Sequence, residues 1–301
     1  MVFLTGSSGF VGQNLLAYIS DFEIKTIDRQ QLNNLSPDSY RDERLNGSEA
    51  IIHLAGKAHD LKKTSHPKEY YEVNFELTKK LYDAFLKSDT KKFIFISSVK
   101  AAADAVEVIL TEDAVPNPLT DYGKSKLMAE EYIQAQPLPK GKRYYILRPC
   151  MIHGPGNKGN LNLLYQIVRK GIPYPLASFE NKRSFLSVEN LCFVIQKLIE
   201  KDIESGIYQV ADDEALSTND VVTILAESSG QTAKLWHVSK TLINFVAKVG
   251  NVLQLPLNKE KLNKLTENYE VSNQKIKAAI GEEWPLKTRE GLALTAKSFV
   301  G

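Results

Sequence analysis

The stretch Val2-Phe3-Leu4-Thr5-Gly6-Ser7-Ser8-Gly9-Phe10-Val11-Gly12 decides the fold. Its first four residues are an apolar run of strand length, and Phe10 to Ile19 carries apolar residues at helical spacing. Between them Gly6, Gly9 and Gly12 follow a GxxGxxG spacing. Glycines at a strand-to-helix turn let the backbone approach a pyrophosphate and let helix and strand pack closely. The first N–H groups of the helix then face the phosphates. The spacing alone is weak evidence, because glycines also punctuate ordinary turns; the strand before it and the helix after it supply the context. The next apolar run, Ile24 to Ile27, ends at Asp28, 16 residues beyond Gly12. A carboxylate there can accept hydrogen bonds from an adenosine ribose, whereas the adjacent Arg29 could hold a 2′-phosphate. The sequence leaves NAD and NADP both open.

The alternation continues outward. Ala50 to Leu54, Phe93 to Ser97 and Tyr144 to Leu147 read as further buried strands, with amphipathic stretches such as Tyr70 to Lys87 between them. Short apolar strands alternating with helices predict βαβ units, hence an α/β, Rossmann-type doubly wound parallel sheet covered on both faces. After Pro149 the character changes. Gly154 to Asn160 and Gly171-Ile-Pro-Tyr-Pro175 signal loops, Leu161 to Lys170 and Val188 to Lys201 read as helices, and Ser217-Thr218-Asn219-Asp220 caps a helix over Val221 to Glu227. Residues 1–149 are therefore assigned to a nucleotide-binding domain. Residues 150–301 form a smaller, mixed substrate lobe, partly interleaved with that core. The apolar stretch Leu242 to Leu255 has Lys248 as its one charge, and reads as a helix covering this lobe rather than one lying on a membrane.

Composition narrows the partners. Across 301 residues, 38 Lys and Arg oppose 36 Asp and Glu, a net charge of +2 that gives no electrostatic reason to expect nucleic acid. Lys91-Lys92 and Lys140 to Arg143 read as solvated strand edges. The two cysteines, Cys150 and Cys192, exclude a disulfide framework or a four-cysteine zinc site, and a reducing compartment is the simpler reading. No apolar run reaches 18 residues and no basic, apolar leader opens the chain, so the expectation is a cytoplasmic protein without membrane insertion. His59, His66, His153 and His237 are scattered without metal spacing, and no metal site is expected.

The chemistry concentrates in Asp121-Tyr122-Gly123-Lys124-Ser125-Lys126. On a helix, Tyr122 and Lys126 share one face. An ammonium about 4 Å from a phenol interacts by roughly 4 kcal/mol at an effective dielectric near 20, enough to lower a tyrosine pKa from about 10 by up to some three units. Such a phenol is a useful acid–base group. Phe93-Ile-Phe-Ile-Ser97-Ser98 ends in two serines, and Ser98 lies 24 residues before Tyr122. The carboxyl end of a parallel strand is where such sheets bind ligands, so the Ser98 hydroxyl can meet a substrate oxygen beside the tyrosine; it can equally cap a helix. His153, before Gly154-Pro155-Gly156, is placed at the cleft mouth, and Cys150 near the pocket.

Taken in order, Thr5 to Gly12, Asp28, His53-Leu54-Ala55-Gly56, Asn74, Ser97-Ser98, Tyr122 with Lys126, Leu147-Arg148-Pro149, His153 to Gly156 and Arg183 to Asn190 resemble the extended short-chain dehydrogenases/reductases. That family comprises nucleotide-sugar epimerases, 4,6-dehydratases and ketoreductases. The resemblance implies that Gly6, Gly9, Phe10, Val11 and Gly12 cradle the pyrophosphate, that Asp28 holds the adenosine ribose, and that Leu54, Ala55 and Gly56 line the cofactor. It implies that Asn74 stands behind the catalytic shell, that Ser98, Tyr122 and Lys126 form the triad, and that Arg183 contacts the diphosphate of a UDP-sugar. It also implies a homodimer formed through the helices that hold Asn74 and Tyr122. The dehydratases follow their serine or threonine with an Asp-Glu pair, but here Ser98 precedes Val99 and Lys100, which argues against elimination. Cys150 to His153 replaces the asparagine that many epimerases carry, and no arginine lies near Tyr269 to Asn273. A 4-ketoreductase of surface-polysaccharide synthesis is expected, with a 4-epimerase as the alternative and a catalytically silent dinucleotide sensor or scaffold as a remote one.

Overall fold

The computed structural model describes residues 1–34, 45, 47–57, 66–157, 160–253 and 258–300. Its strands are β1 (Val2–Thr5), β2 (Ile24–Ile27), β3 (Ala50–His53), β4 (Lys92–Ile96), β5 (Arg143–Pro149), β6 (Met151–His153), β7 (Phe185–Ser187) and β8 (Gly206–Val210). Six of them form a parallel sheet in the order β2-β1-β3-β4-β5-β8, while β6 and β7 pair parallel beside it. Strand order reverses at β1, which pairs with β2 on one side and β3 on the other. That reversal opens a crevice at the carboxyl ends of β1 and β3.

Both faces of the sheet are covered, so its strands are continuous apolar runs. On one face α1 (Phe10–Tyr18) and, from late in the chain, α7 (Val188–Glu200) cover Leu4, Ile52, Ile94 and Leu147. On the other, α4 (Leu77–Lys87) and α5 (Asp121–Ala135) bury Phe85, Ala129 and Ile133 against Phe93, Phe95 and Ile146. Each fully buried side chain of this size contributes about 1.5–3 kcal/mol. The short helices α2 (Arg29–Asn33) and α3 (Pro67–Tyr70) precede α4. The remaining helices are α6 (Asn160–Arg169), α8 (Thr218–Ser228), α9 (Lys240–Leu253), α10 (Lys259–Thr266), α11 (Gln274–Ile280) and α12 (Thr288–Lys297). A separate core gathers Tyr165, Leu225, Ile243, Ala247 and Leu292 from α6, α8, α9 and α12. Strand β8 and helix α7 thus return to the main sheet from beyond residue 149.

Several details depart from the expectations. The single helix anticipated over Tyr70 to Lys87 is interrupted by a π-helical stretch, Tyr71–Glu76, between α3 and α4. The basic runs are solvated only in part: Lys91 and Lys140 are exposed, but one lysine of each run turns inward. Lys92 and Lys142 are both buried, and Lys92 Nζ donates to the Ile199 and Lys201 carbonyls at the end of α7. Lys142 Nζ donates to Phe85, Ser88 and Thr90 carbonyls at 2.7–2.8 Å, at the end of α4. Helix C-termini leave carbonyls unpaired and carry partial negative charge, which is why these ammonium groups are drawn inward. The outer edge of β8 is closed by other charges. Glu112 Oε1 accepts from Gln209 N at 2.8 Å and Lys275 Nζ donates to Ile207 O at 2.9 Å, blocking further strand pairing. Both cysteines are free and buried. Among the described residues no helix is long and apolar enough to cross a membrane.

Candidate active site

The glycine turn lies in the crevice where strand order reverses. Gly6 has φ +74°, and a Cβ there would stand 2.6 Å from Ala55 N, so neither backbone nor space admits another residue. A Cβ on Gly12 would stand 2.3 Å from the Gly6 carbonyl oxygen, which is how closely α1 is pressed on the turn. Gly9 is the N-cap of α1 and provides no side-chain cap, leaving the N–H groups of that first turn, at Phe10 and Val11, without a side-chain acceptor. A cradle without side chains at a helix N-terminus fits a dinucleotide pyrophosphate. Asp28 caps α2 in a capping box: its Oδ1 accepts from Gln31 N at 2.8 Å, and Gln31 Oε1 accepts from Asp28 N at 2.9 Å. The carboxylate is thereby pinned at the end of β2, with Arg29 exposed as the first residue of α2.

The floor of the crevice is held by an ordered chain of hydrogen bonds. Thr78 Oγ1 donates to Asn74 O at 2.7 Å, so it accepts from His53 Nε2 at 2.9 Å. His53 Nδ1 then accepts from Thr5 Oγ1 at 2.7 Å, and Thr5 Oγ1 accepts from Ala55 N at 3.2 Å. Because one hydroxyl has one proton to give, His53 is neutral with its hydrogen on Nε2. Burial, with the Lys126 charge adding to it, pushes its pKa down to about 3. Asn74, fully buried on the π-helical stretch, bridges Lys57 N and O (2.7 and 3.1 Å) to Ser125 Oγ (3.0 Å), and Ser125 Oγ donates to Tyr122 O at 2.8 Å. This carboxamide ties the Leu54–Gly56 loop to α5. An inserted turn at a functional site is a common use of π geometry.

Helix α5 starts at a Thr120 cap, whose hydroxyl accepts from Gly123 N at 3.2 Å. Gly123 itself is required by packing, since a Cβ there would stand 2.4 Å from Lys100 O. The result sets Tyr122 beside Ser98. A hydrogen bond links the two side chains, and Ser98 Oγ also accepts from Lys100 N at 3.2 Å, so it is at once a tyrosine partner and a cap. Tyr70 packs edge-on to Tyr122 with ring centroids 6.1 Å apart. Lys126 is buried; its Nζ donates to Ile96 O at 2.8 Å and would lie 3.1 Å from a Cβ on Gly56.

This arrangement corrects the expected pKa logic. Burial pushes the Tyr122 phenol above its ordinary value, and the Ser98 hydrogen bond works against that rise. The Lys126 ammonium is engaged by the Ile96 carbonyl and does not lower the phenol. Burial brings Lys126 itself down to about 8, against an upward pull from Glu130. Glu130 accepts from Ser97 Oγ and forms a buried ion pair with Arg148, whose Nε lies 3.1 Å from both carboxylate oxygens. Tyr122, Lys126 and Glu130 are spaced i, i+4, i+8. That continuation of the series, like the glycine after the tyrosine, was the available signal for two residues the sequence reading passed over.

The second half contributes less directly. Arg183 is partly buried. Its backbone forms a two-hydrogen-bond bridge with Leu216 at 2.9 Å and a bridge to Tyr269, whose hydroxyl donates to Ala103 O at 2.6 Å just past Ser98. His153 is not at the cleft mouth: it is buried on β6, with Nδ1 2.9 Å from Thr295 Oγ1 of α12. Cys150 is buried, and burial first, then the nearby Asp212, pushes its thiol well up, away from nucleophilic use. His66 and His237 are exposed and far apart in the chain, and His59 lies outside the described residues.

Comparison with known proteins gives the family. The NAD dependent epimerase/dehydratase family matches residues 2–211. The chain is 30% identical to a UDP-glucose 4-epimerase of Vibrio cholerae over 99% of its own length and 95% of that protein. It is 27% identical to a GDP-6-deoxy-D-mannose reductase of Pseudomonas aeruginosa, covering 75% of this chain and 79% of the relative. Among solved structures, MoeE5 in complex with UDP-glucose and NAD superposes with TM-score 0.75 at 21% identity, covering 99% of this chain and 97% of that one. The chain belongs to the NAD dependent epimerase/dehydratase family and is an enzyme that uses a nicotinamide dinucleotide, built on a Rossmann-type fold.

Proposed function

We propose that the protein catalyses hydride transfer at C4 of a UDP-linked hexose or N-acetylhexosamine, with residues 1–149 holding the cofactor and residues 150–301 the substrate. The observation that carries this reading is the Ser98–Tyr122 hydrogen bond, with Lys126 one helical turn after Tyr122 and its Nζ on the Ile96 carbonyl two residues before Ser98. Bound NAD or NADP supplies or accepts the hydride. Tyr122 passes a proton to or from the C4 oxygen, Ser98 hydrogen-bonds that oxygen, and Lys126 places positive charge behind both. Gly6, Gly9, Phe10, Val11 and Gly12 hold the pyrophosphate, with Leu54, Ala55 and Gly56 along the cofactor. The pinned Asp28 carboxylate favours ribose hydroxyls over a 2′-phosphate, which supports NAD. Arg183 suits the substrate diphosphate, for which a guanidinium fork is well matched.

Lys100 stands where elimination would need a carboxylate. Its Nζ donates to Asp104 O at 2.7 Å and lies over the Tyr269 ring, 4.3 Å from its centroid. This supports carbonyl–alcohol interconversion without loss of water. Of the two net outcomes, we favour reduction of a UDP-4-keto-6-deoxy-hexosamine, on the Gly154–Asn160 and Arg183–Asn190 segments. The name of the Vibrio cholerae relative supports the second outcome, 4-epimerisation. Purified protein would be incubated with UDP-glucose, UDP-GlcNAc and a UDP-4-keto-6-deoxy sugar, each with NADH or NADPH. Cofactor consumption with the keto sugar is the expected result; interconversion without consumption would replace the reductase by the epimerase. Cofactor binding with no turnover on any of them would leave a sensor or scaffold.

A further inference from the structure

Helix α9 carries more apolar surface than its packing uses. Ile243 and Ala247 are buried in the lobe core, whereas Leu242, Phe245 and Val246 are 54%, 62% and 40% exposed. These three stand at i, i+3 and i+4, one continuous stripe. Together the buried and exposed sets span well beyond the ~100° arc that a covering helix needs. Trp236, just before the helix, is 58% exposed. Along the segment that carries this ridge the charge has one sign. Between Glu227 and Glu260 the sequence holds no carboxylate, but it holds Lys234, Lys240, Lys248 and Lys259, and all four are exposed. The whole chain carries a net charge of only +2, so this segment is set apart by its missing carboxylates, which leave its lysines unopposed in sequence.

We propose that α9, with Trp236, docks this protein on a bilayer surface bearing anionic lipid headgroups. Exposed leucine, phenylalanine and tryptophan side chains enter the boundary between headgroups and acyl chains, while lysines keep their ammonium groups among the lipid phosphates. The absence of carboxylates removes the repulsion such a surface would otherwise meet. It also disfavours a second copy of the chain as occupant, because a two-fold pairing would set one basic strip against another. The expectation that this stretch covers the lobe accounts for Ile243 and Ala247, and the docking face accounts for the other stripe. The argument uses this surface alone and is independent of which sugar the active site takes.

The test is co-sedimentation of the full chain with vesicles of phosphatidylglycerol mixed into phosphatidylcholine, against vesicles of phosphatidylcholine alone. Binding is expected to be about tenfold greater on the anionic vesicles, to fall at high salt, and to fall about tenfold in Phe245→Glu. Lys248→Glu, a surface charge reversal that leaves the core untouched, should weaken it in the same direction. Cofactor binding measured by nicotinamide fluorescence should be unchanged in both variants. Equal recovery of the wild type in the supernatant with both vesicle types would overturn the proposal, as would unchanged sedimentation of both variants. A wild type that ignores vesicles and forms a dimer that Phe245→Glu splits would assign the face to a second copy instead.

Discussion

Two buried histidines, each the last residue of a parallel strand, compare the halves of the molecule. His53 ends β3 in the first half and has a hydroxyl on each ring nitrogen, at 2.7 and 2.9 Å. His153 ends β6 in the second half; its Nδ1 meets Thr295 Oγ1 at 2.9 Å, while its Nε2 has no hydrogen-bond partner and lies 3.7 Å from Asp212 Oδ2. That carboxylate is already taken by Ser187 N and Asn190 Nδ2. The first histidine is part of a chain that fixes the cofactor loop, and the second joins the closing helix α12 to a small sheet. Close wiring in the first half follows from chemistry that tolerates little misplacement, since a reacting group displaced by about 1 Å can cost 10²-fold in rate.

The largest break comes at Tyr122. Tyr122→Phe removes the acid–base proton while keeping the ring against Tyr70, and should lower kcat by about 10²–10⁴-fold. Cofactor affinity, measured by fluorescence titration, should stay near the wild-type value, because the glycine cradle and Asp28 are untouched. Full activity in this variant would remove Tyr122 from the proposed centre.

Next in size is the buried pair beneath the site. Arg148→Met leaves the Glu130 carboxylate buried beside Ser97 without its partner, and removing one partner of such a pair typically costs about 3–5 kcal/mol. Urea unfolding should show a correspondingly lower midpoint. A loss under about 1 kcal/mol would show that the carboxylate has relaxed toward solvent or taken up a proton.

His53 allows the comparison to be read by pH. Its pKa of about 3 in the fold lies below the ordinary value of 6.5, so the unfolded chain binds the proton first as the solution is acidified. Stability from this group is therefore complete above about 6.5 and falls toward pH 3, by at most about 1.4 kcal/mol per pH unit. Urea midpoints at descending pH should drop more steeply in the wild type than in His53→Gln. Equal slopes would place the acid sensitivity elsewhere.

The first half was readable in the sequence because its constraints are local. Gly6 and Gly12 are dictated by contacts within a dozen residues and one neighbouring loop, and Tyr122 and Lys126 by a single helical turn. Asn74 came from the resemblance rather than from spacing, since nothing in Tyr70 to Lys87 announces a π-helical insertion. What stayed hidden depends on distant partners. Lys92 and Lys142 look like solvent residues until α7 and α4 bring their carbonyl ends alongside. His153 looks like a cleft residue until α12, more than 130 residues later in the chain, covers it. In the second half such distant partners decide which side chains are covered, so its sequence shows helices and loops but not which residues meet.

Arg183 gives the smallest expected effect and the sharpest separation of the halves. Its backbone is held between Leu216 and Tyr269, so Arg183→Met should keep the local bridges and the packing of the aliphatic stem while deleting the guanidinium. If that group meets the substrate diphosphate, KM for the sugar nucleotide should rise about tenfold, the equivalent of roughly 1.4 kcal/mol, with cofactor affinity and the alkaline limb of the pH profile unchanged. A change in kcat alone would mean that Arg183 acts through Tyr269 on the turn after Ser98, making it a positioning residue. No change in either constant would leave the diphosphate to other donors of the lobe. The expected rise in KM separates binding by the second half from proton chemistry in the first, because Tyr122→Phe acts on kcat and this substitution, as proposed, on KM.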